Sequence, residues 1–143
     1  MTYPRMLPDT DSLVIGILAA ALGADARVVP EVEATLTDIL SEGKGYVVVE
    51  SRGGSDRHPQ FAGLSTVDVS CWTSDSRRGC ADLAEACRVA LYMAHRSQTV
   101  RPEGHLSTYR KLSGPQRIPS GVDAVWRTLT TYELGTRPPV EVP

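Results

Sequence analysis

The sequence predicts an α+β domain in which a mostly antiparallel sheet packs against two main helices. Two local patterns and one global order carry that reading. In Val67, Val69 and Cys71 apolar side chains alternate with Asp68, Ser70 and Trp72, the period of a strand with one buried face. In Cys80, Leu83, Ala84, Cys87, Leu91 and Ala94 apolar residues recur at helical spacing, opposite Asp82, Glu85, Arg88 and Tyr92. The order of the main elements, helix, strand, strand, helix, strand, strand, is that of helices laid on a sheet of sequence-adjacent strands.

The first helix runs from Asp9, an acidic residue suited to an N-cap, through Leu13, Ile17, Ala20 and Ala21 to a stop at Gly23. Arg27–Val29 reads as a short strand ended by Pro30. Glu31–Ser41 places Val32, Leu36, Ile39 and Leu40 at helical intervals before Gly43. Tyr46–Glu50 is a β-branched run, and the Gly53-Gly54 pair with its polar neighbours marks residues 51–61 as a flexible loop. Ser74 or Asp75 is expected to cap the amphipathic helix. Its alanine- and cysteine-rich stripe would let it approach the sheet closely. His105–Leu112 is a further strand, Ser113–Gly121 a turn-rich stretch, and Val122–Arg137 a final strand with Trp126, Thr128, Thr130, Tyr132 and Leu134 on one face.

At 143 residues the chain suits one domain, 1–143, with a Pro-rich tail from about 138. Hydrophobic residues at 41% and charged residues at 22% are ordinary globular values, and a net charge of −2 disfavours a strongly basic nucleic-acid binder. The longest apolar stretch, Leu13–Leu22, is about half the ~20 residues needed to cross a bilayer. The acidic start predicts no secretory signal, and hence cytoplasmic synthesis. Thirteen arginines against two lysines speak of GC-rich coding and so of the host.

Motifs that carry chemistry are scarce. Gly43-Lys44-Gly45 lacks the spacing of a phosphate loop, and no G-x-G-x-x-G follows a strand. Cys80, Cys87 and His95 lie at offsets of seven and eight on one helix, unlike the close pairs of structural zinc sites. Three cysteines on apolar faces therefore read as buried thiols without metal. His58, His95 and His105 stand in no nucleophile signature, and acidic pairs such as Glu31 and Glu33 point to different helix faces. No catalytic residue, cofactor or metal is expected.

Two features suit contact surfaces instead. The 51–61 loop combines glycines with Arg52, Arg57 and Phe61. The final strand would span ~50 Å at ~3.3 Å per residue, against a globule of roughly 37 Å, so it must bend, break or overhang. An overhang would carry Trp126, Tyr132, Leu134 and Arg137 to an adjacent protomer, with the distal half, Thr130–Arg137, nearest to it.

Taken together, the Asp-led helix 9–22, the Tyr46-Val47-Val48-Val49 strand followed by Gly53-Gly54, the unit 67–73, the helix around Cys80-Ala81-Asp82-Leu83-Ala84 and the ending Trp126–Leu134 resemble the tail terminator (tail completion) proteins of long-tailed bacteriophages, those of actinobacterial phages in particular. The resemblance implies a non-enzymatic virion protein at the head-proximal end of the tail, assembled in the host cytoplasm as a hexameric ring. Its implied partners are other copies of itself, the major tail tube protein and the head-tail connector protein. DNA would pass through the lumen without specific binding, and no membrane is involved. A head-tail connector or neck protein is the alternative within the virion. A small hydrolase or ligand-binding domain using Cys71 or His58 is the alternative outside it.

Overall fold

The computed structural model describes residues 9–58 and 62–139. In chain order the elements are α1 (Thr10–Leu22), β1 (Ala26–Val29), α2 (Leu36–Ser41), β2 (Gly45–His58), β3 (Ala62–Thr73), α3 (Arg77–Arg96), β4 (His105–Ile118) and β5 (Trp126–Arg137). The five strands form one sheet in the order β1-β2-β3-β5-β4, with β1 parallel to β2 and every other neighbour antiparallel. This is the expected α+β class, with a mostly antiparallel sheet and two main helices.

Alternation along the strands divides the sheet into two faces. The face under α1 and α3 holds Val47, Val49, Val67, Val69, Cys71, Tyr132 and Leu134, packed against Leu13, Val14, Leu18, Ala84, Cys87 and Leu91. On the other face α2 covers only one end, where Leu40 closes over Tyr46, Val48 and Trp72, with Val29 of β1 beside Val48 in the sheet. Ser76, rather than Ser74 or Asp75, caps α3: its hydroxyl accepts the Gly79 N–H at 2.9 Å. Asp75 instead accepts the Ser76 N–H at 2.7 Å.

Four further expectations are corrected. The helix over 31–41 shrinks to Leu36–Ser41, because the Glu33 N–H donates to the Tyr46 hydroxyl at 2.9 Å and ties that segment sideways to the sheet. Residues 51–58 are strand rather than loop, with β2 pairing β3 as far as His58 opposite Ala62. A register shift between Ser51 and Gly54 absorbs the glycines, and a Cβ on Gly54 would lie 2.1 Å from the Leu64 carbonyl oxygen, so the close approach requires glycine. The stretch after Leu112 likewise stays in β4 as far as Ile118, with Gly114 (φ +98°) in an irregularity rather than a turn. The final strand starts at Trp126, not Val122, since the Ser120 hydroxyl accepts from the Val122 N–H and donates to the Val125 carbonyl, bending 120–125 into a turn. Twelve residues give ~40 Å, and β5 lies between β3 and β4 along its length, so it does not overhang.

Candidate assembly interface

The seven residues singled out for contact occupy different environments. Tyr132 and Leu134 are fully buried in their own subunit. Flanked on both sides, β5 turns them under the helices, where Tyr132 sits 5.7 Å from the Tyr109 ring and burial drives its phenol pKa far upward. They build the core and offer no surface to a neighbour. Trp126 is half-buried against the same core, opposite Thr73. Arg137 is exposed at the end of β5 opposite His105, whose pKa is lowered by burial and then by the Arg137 charge.

Arg52 is exposed at the β2 bulge, but it is tied to its own sheet. Its Nε lies 2.8 Å from Asp68 Oδ2, and Asp68 Oδ1 accepts the Thr131 hydroxyl at 2.7 Å. Arg57 lies on β2 in the irregular pair of registers between Asp56 and His58; its side chain, and Phe61 altogether, lie outside the described residues.

The three thiols meet at the seam of β3 and α3. Cys71 Sγ is 4.0 Å from Cys87 Sγ, and Cys80 Sγ donates to the Cys71 carbonyl at 3.3 Å. Contact with Cys87 and burial raise the Cys71 pKa, and burial raises that of Cys80. Protonated, apolar sulfur at this seam fills space between helix and sheet.

The surfaces that periodicity overlooks are the two edges of the sheet. On β4, Arg110, Lys111 and Arg117 are exposed beside Leu112, itself 43% exposed, and β4 contains no Asp or Glu. None of the three cations is in an ion pair among the described residues. At the opposite edge, residues 25–44 hold five acids against two bases, a net −3. Glu33 pairs with Arg27 and Glu42 with Lys44, each at 3.2 Å, which leaves Asp25, Glu31 and Asp38 exposed and without an ion pair among the described residues. Val32, next to Glu31, is 53% exposed. The signal was present in the sequence as a segregation of charge by segment, hidden beneath a total of −2.

The chain shows three similarities to known proteins. A family model described as phage tail termination protein matches residues 6–143. The Gene 22 protein of Mycobacterium phage D29 is 30% identical over 81 residues, which are 57% of this chain and 58% of that relative's length. A chain in the virion of a native gene transfer agent particle is similar in fold with a TM-score of 0.49 and 16% identity, over 90% of both chains.

Proposed function

Because the chain belongs to the phage tail termination protein family, and is thus a structural protein of the virion tail and not an enzyme, we propose that it works as a closed hexameric ring that caps the tail tube. The ring sits on the last ring of major tail tube protein, stops further addition, and presents its far side to the head-tail connector. The match across residues 6–143 carries this reading, since it takes in every element of the fold.

The fold supplies what a ring requires. A cyclic oligomer larger than a dimer repeats one heterologous contact, so each subunit needs two different surfaces. Here the edges of the sheet differ in both length and charge sign. A near-neutral protein also suits a lumen through which DNA slides, because a wall dense in Lys and Arg would grip phosphates.

The test is the mass of the purified chain in solution, measured alone and with polymerised tail tube, together with negative-stain images. A species of six chain masses with an open centre, bound only at tube ends, is the expected result. A chain that stays monomeric in both conditions, or that decorates the tube along its sides, overturns the proposal.

A further inference from the structure

We propose that the basic edge of β4 docks against the acidic β1–α2 side of a second copy of this chain, and that this is the repeated contact of the ring. The inference rests on the ring reading above and specifies which surfaces close it. The strand order places the two edges four strand spacings apart, ~19 Å at ~4.8 Å each. Among the described residues, each subunit therefore carries three cations without an ion pair on one flank and three such anions on the other, the head-to-tail arrangement of a heterologous contact.

Each patch also carries one exposed aliphatic side chain beside its charges: Leu112 follows Lys111, and Val32 follows Glu31. Apposing them would remove two isolated apolar surfaces from water while the charges set orientation. The contact runs through side chains rather than an added strand. Three register shifts and Pro115 interrupt β4, and such features blunt an edge against main-chain pairing. On the helix-covered side of β4, exposed Tyr92 of α3, edge to face with Tyr109 at a centroid distance of 5.8 Å, adds an aromatic of a type enriched among interface anchors.

Two variants and their mixture test the assignment. Lys111→Glu/Arg117→Glu makes the β4 edge acidic, and Glu31→Lys/Asp38→Lys makes the β1–α2 side basic; all four positions are exposed, so melting temperatures should stay near that of the parent chain. Alone, each variant should lose ring assembly by at least tenfold in concentration. Mixed in equal amounts they should recover it, because every contact in an alternating ring then pairs opposite signs. Independently, raising sodium chloride from 0.05 to 0.5 M should weaken the parent ring by at least tenfold, as screening shortens the reach of exposed charges.

Folded variants that assemble like the parent, a mixture that fails to recover rings, or a salt-insensitive parent ring would overturn the contact while leaving the ring intact. A parent chain that forms no closed oligomer removes the ring itself.

Discussion

Replacing Tyr132 with Phe should make the protein more stable, although the residue is fully buried in the middle of the core. Its hydroxyl is buried and finds no hydrogen-bond partner among the described residues. Desolvating a hydroxyl without a partner costs ~1–3 kcal/mol, and the Tyr132→Phe change removes that group while keeping the ring 5.7 Å from Tyr109. A gain of about 1–2 kcal/mol follows. With an unfolding entropy of ~2.1 cal/mol/K per residue, 143 residues give ~300 cal/mol/K, so each kcal/mol moves the melting temperature by ~3 °C. The expected shift is upward by roughly 3–7 °C. Calorimetry or circular-dichroism melting at one fixed protein concentration reads it, since assembly makes the midpoint depend on concentration. A fall of similar size would refute the reasoning, because it would mean that the hydroxyl holds a hydrogen bond worth keeping.

Leu134→Ala should cost ~2–5 kcal/mol as a buried large-to-small change, lowering the melting temperature by roughly 7–17 °C while leaving the oligomer mass unchanged below the transition; loss of assembly with an unmoved melt would return Leu134 to the subunit contact. His105 supplies a pH dependence: burial, then Arg137, lowers its pKa in the folded chain, so the unfolded chain binds the proton more readily and stability falls as pH drops through about 6.5. Melts between pH 8 and 5 should show this decline in the parent chain and a shallower one in His105→Gln, and parallel curves would rule His105 out as the cause.

What the sequence disclosed depended on where local pattern and tertiary demand coincide. In β3 and α3 the apolar period and the buried face are the same thing, and Val67, Val69, Cys71, Cys80, Cys87 and Leu91 all lie in the core that periodicity assigns them. Residues 51–58 fail for the converse reason. Their glycines and charges carry no strand pattern, and only pairing with β3 makes them extended. Gly114 and Pro115 read as a turn for the same cause, whereas an edge strand can hold them in an irregularity because one side of its ladder is free. Ser76 caps α3 although Ser74 and Asp75 are equally suited by residue type, a difference inside the one- or two-residue blur of helix ends.

The burial of Tyr132 and Leu134, two of the residues expected at a contact, follows from a more general conflict. Alternation along Thr128, Thr130, Tyr132 and Leu134 marks a face that must leave water, but it is silent on whether the cover comes from the same chain or the next one. Sheet order decides. Once β4 and β3 occupy both flanks of β5, that face belongs to α1 and α3 and has nothing left to give a neighbour. Surfaces left for assembly must then be those that core formation does not explain. Leu112 and Val32 are aliphatic yet exposed, and Arg110, Lys111, Arg117, Asp25, Glu31 and Asp38 are charged yet without an ion pair among the described residues. Exposed charges alone need no explanation, but opposite signs sorted onto opposite edges of one sheet, each beside an exposed aliphatic residue, match what a repeated head-to-tail contact demands of its two sides.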